Sequence, residues 1–133
     1  MFKRIGLLIV GLVSPSVLLA GHHEEGKLKP AASEGQVIVA YEVPCVDPSA
    51  GIRLLKELIA YESEVAGVSY SSVSTVLGDQ RVGAIDVHAS AQAMEEAFAW
   101  QEQDQKWLEK QARALEVCEA SIGEIVTGIH LAQ

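Results

Sequence analysis

Residues 36–48 read Gln36-Val37-Ile38-Val39-Ala40-Tyr41-Glu42-Val43-Pro44-Cys45-Val46-Asp47-Pro48. The first eight are rich in β-branched residues, with Val37, Val39, Tyr41 and Val43 on one side of a pleat and Gln36, Ile38, Ala40 and Glu42 on the other. This predicts the first strand. Asp47 can then cap a helix that has Pro48 at its first position, where a missing amide costs nothing. Ile52, Leu55, Leu58, Ile59 and Val65 continue at helical spacing until Gly67 stops the run.

Further along, residues 68–77 are dense in Ser, Thr, Val and Tyr, Gly78-Asp79-Gln80 makes a turn, and Arg81 to His88 alternates with Gly83, Ile85 and Val87 facing one way. Together they predict a hairpin. Ser90 opens a long helical segment to about Ala120, with Met94, Phe98, Leu108, Ala112 and Leu115 inward. Its middle, Gln101 to Gln105, is polar all round, which predicts a break near Asp104 between Trp100 and Trp107. Ile122 to Leu131 alternates once more, Ile125, Thr127, Ile129 and Leu131 on one face and Glu124, Val126, Gly128 and His130 on the other. The order is βαββαβ, an α+β ferredoxin-like pattern. Right-handed crossovers then give a four-stranded antiparallel sheet in the order 4-1-3-2 with both helical segments on one face.

In the other direction, residues 21–35 are polar and without apolar period, which predicts a flexible leader, and the domain runs from 36 to 133. Residues 1–20 begin with Lys3 and Arg4 and continue as an apolar run interrupted by Gly6, Gly11 and Pro15. That order predicts a secretory signal. The run, about 16 residues, is shorter than the roughly 20 needed for a membrane-crossing helix. Leu19-Ala20-Gly21 is followed by His22 where a lipoprotein would need Cys, so no lipid anchor is expected, and the reading is a periplasmic or secreted protein free of the membrane after processing.

The chain carries 10 basic and 18 acidic residues, net −8. Without residues 1–20, which hold two of the cations and no acid, the balance is 8 against 18, net −10. Such a surface repels phosphate backbones and anionic membranes, so nucleic acid is excluded as a partner. About 113 residues remain, enough for one domain with one core.

The strand Val37 to Val43, the Asp47-Pro48 helix start, the strand Val82 to His88 and the stretch Asp104-Gln105-Lys106-Trp107-Leu108 together resemble the dimeric α/β-barrel superfamily, which includes antibiotic-biosynthesis-monooxygenase-like domains, over residues 36–132. The resemblance implies two protomers packed sheet against sheet, and small aromatic or other organic ligands in the space between sheet and helices. The residues favour a homodimer independently: Ile38, Ala40, Ala84, Val126 and Gly128 are expected on the face opposite the helices, an apolar patch that a monomer leaves in water.

Several side chains are candidates for chemistry. Tyr41, Phe98, Trp100 and Trp107 are placed to line a ligand cavity between sheet and helices, or to be core. Cys45 and Cys118 approach each other in this topology, giving a disulfide or two buried thiols. His88 and His130, at strand ends flanking the first strand, are expected at one edge of the open face with Asp86 nearby. There they are suited to hold Zn or Cu or to shift protons, or are polar ends of a dimer interface or solvated strand ends. His22 and His23 are a second pair: cleavage after Ala20 puts His23 third in the mature chain, a geometry that suits Cu(II). Glu42 and Glu124 are expected to be solvated or interfacial. No phosphate-cradling glycine loop, serine nucleophile elbow or haem pair occurs, so no cofactor is expected.

The functional expectation is an exported small-ligand-binding or accessory protein, a homodimer, with no reaction assigned. The alternatives are a cofactor-independent monooxygenase-like enzyme acting on an aromatic substrate, and a periplasmic Cu- or Zn-binding protein.

Overall fold

A strand apolar at every second position needs cover on one side and hydrogen-bonding neighbours at both edges. In the computed structural model, which describes residues 29–65, 67 and 69–133, β1 (Val37–Pro44) has both. The expected signal over residues 1–20 and the His22–His23 pair lie outside the described residues. After β1 come α1 (Pro48–Val65), β2 (Tyr70–Leu77), β3 (Arg81–His88), α2 (Ala91–Gln103), α3 (Gln105–Cys118), a 3-10 turn (Ile122–Glu124) and β4 (Val126–Leu131). The sheet order is β2-β3-β1-β4, the predicted 4-1-3-2 read from the other edge, and every pairing is antiparallel. At its N-terminal end the domain is tied in before β1, since the Gly35 amide donates to the Ala132 carbonyl at 3.0 Å.

Local chemistry explains the boundaries. Asp47 Oδ1 accepts the Ala50 amide at 3.0 Å, the cap that Pro48 at the first position requires. The buried stripe of α1 is Gly51, Leu54, Leu58 and Glu62, a helical spacing rotated slightly from the predicted one, and Val65 is exposed. The expected break in the long segment is present. Asp104 has extended backbone (φ −85°, ψ 104°) and ends α2 while capping α3, its Oδ1 accepting the Trp107 amide at 2.8 Å. The Tyr61 hydroxyl donates to the same carboxylate at 2.9 Å, pinning the break against α1. Ala112, expected inward, is exposed; past the break the buried stripe of α3 is Trp107, Ala114 and Cys118. The expected final strand starts later, at Val126, because Ser121 and Glu124 form a capping box around the 3-10 turn.

The pairing register sets which residues meet the helices. Val37, Val39, Tyr41 and Val43 pair with His88, Asp86, Ala84 and Val82, and cross-strand partners share a face. Ala84 therefore lies on the helix side, not on the open face where it was expected, and Ile85 takes its place. The open face is apolar: Ile38 and Ala40 form its middle, and Val73, Ile85 and Val126 are 56%, 38% and 55% exposed. Gly83 is obligatory, since a Cβ there would run into the Tyr41 carbonyl oxygen.

At the other end of β1 the chain is stapled. Cys45 and Cys118 form a disulfide 73 residues apart in sequence, joining the exit of β1 to the last residue of α3. Gly51 makes room for it, because a Cβ at that position would stand 2.7 and 2.8 Å from the two sulfurs. Closing a loop of this length stabilises by roughly 4 kcal/mol in the chain-entropy account. The Cys45→Ser/Cys118→Ser double variant should lose stability of that order in urea unfolding relative to the oxidised wild type, and reduction of the wild type should reproduce the loss. A difference below about 1 kcal/mol would contradict it.

Candidate functional site

Between the helix-side face of the sheet and the helices lies a cavity of about 450 Å³. Its two ends differ because its floor is a strand sequence read two residues at a time. Toward the disulfide the floor is Val43 and Val82, walled by Leu115 and Ile125. Toward the other end stand Asp86, Tyr41, Ser72, Glu62 and Gln101, with Phe98 over them.

Glu62 continues the buried stripe of α1 one turn beyond Leu58 and is 8% exposed. Its Oε1 accepts the Trp107 indole N–H at 2.6 Å. Burial pushes its carboxyl above the ordinary carboxylate range, against the pull of Trp107 and Tyr70 beside it. Asp86, 4% exposed, faces Val39 on one side and Ser72 on the other. Its Oδ1 is buried with no hydrogen-bond partner among the described residues. Burial raises its pKa from the ordinary 3.8 to about 6; the Ser72 and Tyr41 hydroxyls pull the other way, and the nearby Glu62 charge adds to the rise.

The phenols of Tyr41 and Tyr70 are pushed up, first by burial and then by these same carboxylates, so both remain protonated donors. Gln101 Nε2 donates to the Tyr70 hydroxyl at 3.2 Å. His88 is wholly buried, stacked on Tyr70 at 4.9 Å between ring centres and meeting Phe98 in a T-shaped contact at 6.0 Å between centres. Burial pushes its imidazole down, which keeps it neutral, and among the described residues neither ring nitrogen has a hydrogen-bond partner. Among the described residues the ion pairs are Arg53–Glu57 and Arg81–Glu42, so neither buried carboxyl has a cation of the protein beside it. A cavity apolar at one end, with acceptors at the other, suits a small amphipathic molecule. A carboxyl that titrates near neutrality can also take up a proton there.

Of the aromatic residues expected at a cavity, Tyr41, Phe98 and Trp107 line it. Trp100 does not; it packs on Tyr61, 6.4 Å between ring centres. His88 and His130 are not brought together. His88 pairs with Val37 and His130 with Ile38, adjacent residues of β1, so the two imidazoles project to opposite faces of the sheet. Asp86 goes with His88, onto the covered side. Among the described residues no three His, Cys, Asp or Glu side chains are grouped to hold a metal ion. Glu42 is paired with Arg81 at 3.2 Å, and Glu124 is exposed in its capping box. Sequence reasoning missed Glu62, Tyr70 and Gln101. The signal for Glu62 was an acid one helical turn beyond Leu54 and Leu58; Tyr70 and Gln101 gave none.

No protein-family model and no curated protein matches the sequence. Solved structures do share the fold. A NIPSNAP family protein from Agrobacterium tumefaciens is similar over 74% of this chain and 93% of its own, with a TM-score of 0.54 and 18% identity. SnoaB, a cofactor-independent oxygenase from Streptomyces nogalater, is similar over 76% and 95%, with a TM-score of 0.51 and 16% identity. A dimeric ferredoxin-like protein from an uncultured marine organism is similar over 74% and 96%, at 0.50 and 12%. The expected resemblance to dimeric ferredoxin-like proteins therefore holds at the level of fold.

A buried acid with a raised pKa stabilises the fold only while protonated. The Asp86 contribution is complete below its unfolded value near 3.8 and is lost as pH rises through about 6. Asp86→Asn should therefore be more stable than wild type at pH 8, by up to about 3 kcal/mol, with the gap closing by pH 4. Urea unfolding at pH 4, 6 and 8 checks this; a variant less stable at pH 8 by a pH-independent amount would show that the carboxylate is compensated.

Proposed function

We propose that the protein is an exported homodimer that binds a small, mostly apolar organic molecule in the cavity between sheet and helices. The observation that carries this reading is the cavity itself: about 450 Å³, apolar at the Val43–Val82 end and lined by hydrogen-bonding groups at the other. A core built only for stability has no reason to place at this cavity an acid whose Oδ1 is buried and unpartnered among the described residues, since an unsatisfied buried acceptor costs about 1–3 kcal/mol. Pairing two open faces supplies the cover that Val73, Ile85 and Val126 lack. Export is supported by the charged-then-apolar order of residues 1–20 and by the disulfide, which persists in oxidising compartments.

A second reading is favoured by one observation. Asp86, with a pKa of about 6, is suited to removing a proton from a bound aromatic substrate, and SnoaB, similar in fold, is a cofactor-independent oxygenase. The two readings share the site and differ in whether the ligand is consumed.

Two measurements test the main reading. Sedimentation of the mature protein at micromolar concentration should give a dimer, and Ile85→Lys on the open face should give a folded monomer; a wild-type monomer would contradict the dimer. Titration with 1-naphthol, followed by tryptophan emission, should saturate in the wild type. Ala114→Phe, which fills the cavity from α3, should weaken that binding at least tenfold while leaving dimerisation intact. Equal binding by both forms would place the ligand elsewhere.

A further inference from the structure

The cavity holds an imbalance of charge that its own residues do not correct. Asp86 and Glu62 both line it, both are more than nine-tenths buried, and the ion pairs among the described residues lie elsewhere. Glu62 is satisfied in part by the Trp107 indole, whereas Asp86 Oδ1 has no hydrogen-bond partner among the described residues, and Asp86 lines the cavity. An ionised carboxylate removed from water is costly unless something of opposite charge or a set of donors replaces the solvent.

Three classes of occupant come into question. A metal ion needs several ligands, and among the described residues no group of three His, Cys, Asp or Glu is formed. A neutral alcohol offers one donor and leaves the charge uncorrected. An organic ammonium supplies both the donors and the charge, and its carbon body takes the rest of the cavity.

We propose that the cavity takes a small organic amine, its ammonium group at Asp86 and Glu62 and its apolar body directed toward Val82 and the disulfide. This rests on the reading of the cavity as a small-ligand site and names the class of ligand. The wall composition fits: Tyr41, Phe98 and Trp107 line the same space, and aromatic faces attract a cation more strongly when water is excluded. The length fits as well. Asp86 and Val82 are four residues apart on β3, roughly 13 Å along the strand, which suits an amine on a two-carbon arm carrying one or two rings. The tyrosine hydroxyls are donors held beside the carboxylates, and they keep the acids from being wholly bare while the cavity is empty.

The test uses matched pairs that differ only in the polar head: phenethylamine against 2-phenylethanol, and tryptamine against tryptophol, titrated calorimetrically at pH 7.5 into the wild-type dimer. Each amine should bind at least about tenfold more tightly than its alcohol. Asp86→Asn should remove most of that preference and leave alcohol binding within about threefold; Glu62→Gln should reduce it in a fold that keeps Asp86. Equal affinity for amine and alcohol overturns the amine proposal while leaving a small-ligand cavity standing. Binding of neither amine nor alcohol overturns both. A preference for amines unchanged in both variants places the cation elsewhere and also overturns the assignment.

Discussion

The pairing of Val39 with Asp86 across β1 and β3 is the contact on which the rest of the structure turns. Strand side chains alternate, so this one register decision sends Val82, Ala84, Asp86 and His88 to the helices and Arg81, Gly83, Ile85 and Val87 to the open face. A slip by one residue would bury Ile85 and Val87 instead, and Asp86 would be solvated. The observed register is held by both neighbours of β3, by the close approach at Gly83, where only glycine passes the Tyr41 carbonyl, and by the two αL residues Asp79 and Gln80 in the turn that starts the strand.

From that register follows a division of labour between the two faces. The open face is aliphatic at its middle, with Ile38, Ala40, Val73 and Ile85, and carries the Arg81–Glu42 pair and His130 toward its ends, a surface for another sheet. The covered face is mixed, with valines at the disulfide end and acids, phenols and a neutral imidazole at the other. Glu62 reaches the same end from α1 because Gly51, Leu54 and Leu58 have already fixed which stripe of that helix is buried. The disulfide and the Asp104 break act on the helices: the first anchors the end of α3 to β1, the second turns Trp107 inward to meet Glu62.

Much of the fold could be read from the sequence because its signals are local. Asp47-Pro48 caps α1, the polar stretch 101–105 marks the break at Asp104, and the strand order follows from element order and crossover handedness. Even the meeting of Cys45 with Cys118 follows from topology, since β4 lies beside β1. The site was harder, because its residues depend on register between elements. The placement of His88 with His130 failed on a single residue: both end near the start of β1, but one pairs with Val37 and the other with Ile38. Nothing within β3 decides which of its faces is covered, since each carries apolar and small residues. Trp100 and Trp107 flank one break, and only the geometry of that break turns one toward the cavity and the other toward Tyr61.

Asp86 is a buried carboxyl in the wall of the cavity with no protein cation paired to it among the described residues. Carbon-13 chemical shifts of the Asp86 carboxyl group, followed from pH 3 to 9 in the free protein, test it most directly. A midpoint near 6 is the predicted result; a midpoint at or below 4 would mean that the carboxylate is solvated or paired and would contradict the account.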